Sequence, residues 1–164
     1  MLRWPEAPSV YGWLRLDRRG NWRVRAEAKG QARFESIGNA ALREFIARNY
    51  DADPRGCWYF QNGPQRVFVS LDYAPLVYRA QGDTFADHCG RTVERFDAAW
   101  LDEEGSLVLQ SPLGVGLLDD RDLGVLAERL ARGYFVTGNQ RLRLGRLGRA
   151  GLEAQFFFVR EPRA

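Results

Sequence analysis

The chain has 164 residues, 45% hydrophobic and 13% aromatic, enough apolar surface for a core without disulfide or metal staples. Its net charge is only +3, with 23 arginines and the single lysine Lys29 making up the 24 basic residues, so nucleic acid is not the expected partner. The two cysteines, Cys57 and Cys89, form no paired framework, and Met1-Leu2-Arg3-Trp4-Pro5-Glu6 opens no apolar stretch of signal or membrane-span length; a cytoplasmic protein with reduced thiols is expected, away from membranes.

Residues 12–17 and 21–26 read as a β-hairpin, because Leu14 and Leu16, then Trp22 and Val24, alternate with polar or surface positions. Asp17 and Gly20 suit the intervening turn, since Asp caps locally and Gly accepts a positive φ. A short strand over Ala32 to Ile37 follows. Asn39 is placed to cap a helix carrying Leu42, Phe45 and Ile46. Asp51 to Gly56 is a loop by composition. Cys57 to Phe60 pairs with Arg66 to Leu71 across Asn62-Gly63-Pro64, and Leu76 to Arg79 forms a further strand. Residues 81–92 read as a polar connector.

Beyond the connector the same order returns. Leu101-Asp102-Glu103-Glu104-Gly105 has the form of Leu16-Asp17-Arg18-Arg19-Gly20, with Leu107 and Leu109 in the places of Trp22 and Val24. Asp120 is read as the cap of a helix bearing Leu123, Leu126 and Leu130. Tyr134-Phe135-Val136-Thr137-Gly138-Asn139-Gln140-Arg141-Leu142 echoes Tyr59-Phe60-Gln61-Asn62-Gly63-Pro64-Gln65-Arg66-Val67. Leu152 to Val159, with its three phenylalanines, is expected as a final buried strand. The fold class is therefore α+β: two tandem β-rich repeats, residues 1–80 and 93–164 joined by 81–92, each with antiparallel hairpins and one helix, packed with pseudo-two-fold symmetry.

The Gln-Arg pairs carry the sharpest chemistry. Arg66 and Arg141 offer planar forks for carboxylate or phosphate, and Gln65 and Gln140 both donate and accept. Asn62 belongs to the same turn, and Tyr59 or Trp58 can supply an aromatic wall. Against this stands the plainer reading, in which the arginines pair with cross-strand carboxylates and the Asn-Gly merely satisfies turn geometry. The basic stretches Arg15 to Arg25 and Arg129 to Arg149 steer a phosphate-bearing partner or are solvated strand faces. His88 and Cys89 have neighbours Asp83 and Asp87 but no motif for nucleophilic catalysis. Asp119, Asp120 and Asp122 are explained better as cap and dipole partners than as metal ligands. Gly114-Val115-Gly116 lacks the third glycine of a phosphate loop.

Tyr59-Phe60-Gln61-Asn62-Gly63-Pro64-Gln65-Arg66-Val67 followed by Leu71-Asp72-Tyr73-Ala74-Pro75 resembles an uncharacterised proteobacterial family of domains of unknown function, from about Tyr11 to Leu130. The order Ile37, helix, Gly56-Cys57-Trp58-Tyr59, Asp72-Tyr73-Ala74-Pro75-Leu76 is more distantly similar to a bacterial family built from two repeated α+β motifs. That resemblance implies a cleft between the motifs for a nucleotide-like ligand with a signalling role, and it supplies no catalytic residues. The expected function is thus non-enzymatic binding of a small anionic ligand, with no cofactor and no metal. A protein–protein adapter using an exposed strand edge or aromatic patch is the alternative.

Overall fold

The computed structural model describes residues 4–28 and 31–164. Met1 to Arg3, read above for targeting, and Lys29 lie outside them. The architecture is α+β with two mixed sheets, carried by two compact units. The first comprises the chain up to Asp17, Asn21–Tyr73 and Phe157–Ala164; the second comprises Arg18–Gly20 and Ala74–Phe156. No described helix is long and apolar enough to cross a membrane.

In the first unit, strands β1 (Ser9–Leu16), β2 (Trp22–Ala28) and β3 (Gln31–Ser36) precede helix α1 (Ala40–Arg48). β4 (Tyr50–Ala52), β5 (Trp58–Asn62) and β6 (Gln65–Leu71) follow. They form one sheet in the order β3-β2-β1-β6-β5-β4, with β1 and β6 parallel and the other pairs antiparallel. β6 has neighbours on both sides, and Val67 through Leu71 are all buried, as expected of a central strand covered on both faces. Asn39 caps α1 as its residue type predicts, its Oδ1 accepting from the Leu42 N–H at 3.0 Å. The helix buries Ile46 and sets Phe45 edge-on to Phe60 at 5.4 Å.

The second unit contains β7 (Leu76–Gln81), β8 (Thr84–Asp87), β9 (Thr92–Val93), β10 (Ala98–Leu101), β11 (Leu107–Ser111) and β12 (Gly114–Leu118). Then come helix α2 (Ala127–Ala131), β13 (Tyr134–Thr137), β14 (Gln140–Arg146) and helix α3 (Leu152–Phe156). Its sheet runs β13-β14-β10-β11-β12-β7-β8-β9, with parallel pairs at β10–β14 and β12–β7. Residues 81–92, expected as a polar connector, thus carry β8 and the start of β9. Phe85, Phe96 and Phe135 meet at 5.3–5.7 Å between ring centroids in edge-on contacts, with Tyr78 against Phe96 at 5.3 Å.

Among the described residues, one local device recurs at four turns. In Asp17–Asn21, Asp53–Cys57, Asp87–Arg91 and Asp102–Ser106 the aspartate N–H donates to the carbonyl four residues on. Its Oδ1 accepts from that same residue's N–H at 2.8–3.0 Å. The fourth position is glycine with φ between 79 and 87°, a conformation that costs a Cβ-bearing residue strain. The turns at Asp17 and Asp102 follow the sequence reading; those at Asp53 and Asp87 have the same Asp-x-x-Gly spelling.

Four further expectations are corrected. The sheets are mixed, because β1 and β6 (and β10 and β14) run parallel, so they are not built from antiparallel hairpins alone. The second half has more than one helix: two 3-10 turns precede α2, and α3 lies further on. The residue capping the first of those turns is Asp119, whose Oδ1 accepts from the Arg121 N–H at 2.9 Å, rather than Asp120. The final strand is also absent. Leu152-Glu153-Ala154-Gln155 are strong helix formers and build α3, after which Phe157 turns the chain at φ 54°. Phe158 is buried while Phe157 is 67% exposed. Val159 then bridges Cys57 in parallel and donates to the Gly56 carbonyl at 2.9 Å. Arg160 holds the Leu71 and Asp72 carbonyls.

The fully buried Asp119 carboxylate illustrates the electrostatics. Burial raises its pKa, but hydrogen bonds from the Arg121 side chain and backbone, with the charges of Arg121 and Arg79, outweigh this and hold it below the ordinary carboxylate value. A depressed folded-state pKa stabilises the protein above the unfolded value near about 3.9, and that stability disappears as pH falls through the folded value. Asp119→Asn should therefore flatten the loss of urea resistance between about pH 5 and pH 3. An acid limb as steep as the wild type's would contradict this assignment.

Candidate functional site: a cationic hairpin pocket

The residues singled out from the sequence fall on two hairpins, one per unit. In the first unit, Asn62 pairs with Gln65 across a two-residue Gly63-Pro64 turn. The Asn62 Nδ2 donates to the Gln65 Oε1 at 3.1 Å. Gln65 Nε2 donates to the carbonyls of Pro5 and Ala7 at 2.6 and 2.7 Å, so its amide fastens the segment leading into β1. The Arg66 guanidinium lies over the Tyr59 ring at 4.3 Å. Trp58, the next residue on the strand, faces the other way and packs on Tyr50 at 4.9 Å. The structure thus brings Tyr59 to Arg66 and Asn62 to Gln65, and separates Trp58 from them.

The second hairpin repeats these relations with different surroundings. Thr137 pairs with Gln140 across Gly138-Asn139. Gln140 exchanges two hydrogen bonds with the Phe96 backbone, accepting its N–H at 2.8 Å and donating to its carbonyl at 2.9 Å, just ahead of β10. Arg141 lies over Tyr134 at 3.8 Å. Val136 pairs with Arg141 and Tyr134 with Arg143, so these four side chains share one face of the hairpin. Arg129 and Arg132, at the end of α2, complete the edge of a cavity of about 340 Å³ lined by Arg129, Arg132, Tyr134, Val136 and Arg141. Glu128 pairs with Arg132 at 3.3 Å.

Arg141, by hydrogen bonding and by charge, and then Arg143 in the same way, hold the Tyr134 phenol below its ordinary value. Arg141→Ala should raise that pKa back toward about 10, read from a pH titration of the Tyr134 ring carbons. A titration indistinguishable from the wild type would show that Arg141 does not govern the phenol.

Other chemistry-bearing groups are committed elsewhere. A second cavity, of about 550 Å³, is lined by Thr92, Val93, Glu94, Arg95, Ser111, Pro112 and Leu113. The Ser111 hydroxyl there is shared with the Tyr78 hydroxyl and the Leu113 N–H. Cys89 Sγ is 3.6 Å from Nε2 of His88, while Nδ1 of His88 accepts the Val77 N–H at 3.1 Å. A backbone N–H only donates, so the neutral ring carries its proton on Nε2 and cannot accept one from the thiol. Burial first, and then the charge of Asp87, push the Cys89 thiol up to about 12. The clustered carboxylates also have partners: Asp119 with Arg121, Asp120 with Arg19, and Asp122 with Arg79 and the Ala80 N–H.

Arg129 and Arg132 were not among the residues singled out. Their three-residue spacing puts them on one helical face, and that face lies only a glycine away from β13 in sequence. That proximity was the available signal.

Two mixed sheets, the first with one parallel pair and the second with two, and a hairpin pocket rich in arginine define an α+β protein with a cationic surface pocket. The chain belongs to the DUF2944 family, whose description is "Protein of unknown function (DUF2946)" and whose model matches residues 1–163. Its fold is similar to that of a DUF1285 family protein from Silicibacter pomeroyi DSS-3, at a TM-score of 0.50 and 17% identity over 83% of this chain and 80% of that one. A DUF1285 family protein from Shewanella baltica OS155 is similar at a TM-score of 0.45 and 16% identity, over 70% of this chain and 90% of that one. No curated protein matches the chain.

Proposed function

We propose that this protein binds a small anion in the β13–β14 hairpin pocket, as a binding protein rather than an enzyme. The observation that carries the reading is the set of three arginines, Arg129, Arg132 and Arg141, around Tyr134, with Glu128 on one of them. Charge-assisted hydrogen bonds from guanidinium to an oxyanion are among the stronger polar contacts available to a protein. The titratable side chains lining the pocket are three arginines and Tyr134, a set suited to holding an anion.

We also infer that the two halves repeat one ancestral unit. The order β3-β2-β1-β6-β5 in one sheet corresponds to β12-β11-β10-β14-β13 in the other. Leu14 pairs with Val24 and with Val69, as Ala99 pairs with Leu109 and with Leu144. Gln65 and Gln140 each fasten backbone just before the first strand of that set. The comparison favours the second hairpin as the site, because Phe68 stands opposite Tyr59 where Arg143 stands opposite Tyr134. Arg66 with Tyr59 is the less cationic counterpart. The adapter alternative has thinner support: Phe45, Val125 and Phe157 are exposed one at a time on separate elements, which is ordinary for a protein surface.

Calorimetric titration with inorganic phosphate at low salt tests the binding reading. Arg141→Ala should weaken the affinity by about ten-fold or more, the effect of losing one hydrogen bond between charged groups. Undiminished affinity in both Arg141→Ala and Arg129→Ala would overturn the assignment.

A further inference from the structure

Resting on that reading, we infer that the pocket selects a doubly charged phosphoryl group on a small organic body, a phosphomonoester, over carboxylates and phosphodiesters. Three guanidinium charges line the cavity; with the neighbouring Arg143 and Glu128 included, four cations less one carboxylate leave three positive charges. A phosphomonoester dianion compensates two of them, whereas a carboxylate, or one phosphodiester link of a nucleic acid, compensates only one.

Geometry also limits the body of the ligand. The cavity of about 340 Å³ is at the small end of the range for ligand sites. Val136 and the Tyr134 ring supply its apolar wall. Arg141 is stacked on Tyr134 at 3.8 Å, so one face of its guanidinium is covered and its N–H edge is presented with fewer conformations to lose on binding. Arg129 and Arg132 lie at the C-terminal end of α2, where a cation is favoured.

The test titrates the whole chain at low salt with phenyl phosphate, benzoate and a short single-stranded oligonucleotide, in the wild type and in an Arg129→Ala/Arg141→Ala double variant. At about pH 7.5 phenyl phosphate should bind about ten-fold or more tighter than benzoate, as an added charge-assisted contact implies. Near about pH 5 that affinity should fall about ten-fold, because the second phosphate pKa is about 6 and most of the dianion is protonated. Benzoate, a monoanion at both pH values, is the control for changes in the protein. The double variant should abolish the preference for phenyl phosphate.

If benzoate and phenyl phosphate bind equally, and both are lost in the double variant, the phosphomonoester inference is overturned while the small-anion site stands. If neither binds, or if binding ignores the two arginines, both fall. Tighter binding of the oligonucleotide through the same arginines would overturn the inference in favour of a nucleic-acid surface.

Discussion

Phe135→Ala should cost the second unit about 3–5 kcal/mol, the range for removing a fully buried phenylalanine. Phe135 is 0% exposed and closes a ring cluster with Phe85 at 5.7 Å and Phe96 at 5.3 Å. Truncation would remove both edge-on contacts and leave a cavity beneath β13. Because Tyr134 and Val136 flank Phe135 on the strand and face the opposite way, loosening this residue should also disturb the arginine pocket on the outer face. Urea denaturation gives the stability, and calorimetry with phosphate on the same variant gives the affinity. A loss under about 1 kcal/mol would mean that the cluster repacks around the gap.

Gly56→Ala should destabilise the first unit by about 3 kcal/mol, combining left-handed backbone strain with steric overlap. Gly56 has φ 81°, and a Cβ there would stand 2.7 Å from the Phe157 carbonyl oxygen and 3.0 Å from the Phe158 Cα. Both obstacles are backbone, so no side-chain rotation relieves them. The segment displaced would be Phe157 to Arg160, which is fastened by the Val159 N–H to the Gly56 carbonyl and by Arg160 to Leu71 and Asp72. Gly63→Ala has open space at Cβ despite φ 58°, and should cost only the conformational part, about 1 kcal/mol. Equal losses at the two glycines in chemical denaturation would remove the steric component from this account.

Features set by short-range chemistry were legible in the sequence. The Asp17 and Asp102 turns, the Asn39 cap and the Asn62–Gln65 hairpin depend on residues within a few positions of one another, and each formed where its residues indicated. The final segment was not legible in this way, because a short apolar run such as Leu152 to Val159 has no periodicity that separates strand from helix. The Asp87 turn was hidden inside a stretch read only for its polarity. The roles of Gln65 and Gln140 were beyond reach for a different reason: their partners, Pro5, Ala7 and Phe96, are remote in the chain. The parallel pairing of β1 with β6 likewise depends on tertiary contact between distant segments. For the pocket, Arg141 was legible as a planar donor, but its companions on α2 were read only as part of a long basic stretch.

The central claim is that an anion lands on the second hairpin. The most direct measurement is an amide chemical-shift map of the whole chain titrated with inorganic phosphate at low salt. Saturable shifts confined to residues 129–143, and lost in the Arg129→Ala/Arg141→Ala double variant, are the predicted result. Shifts centred on residues 58–68, or small shifts spread over every exposed arginine without saturation, would contradict it.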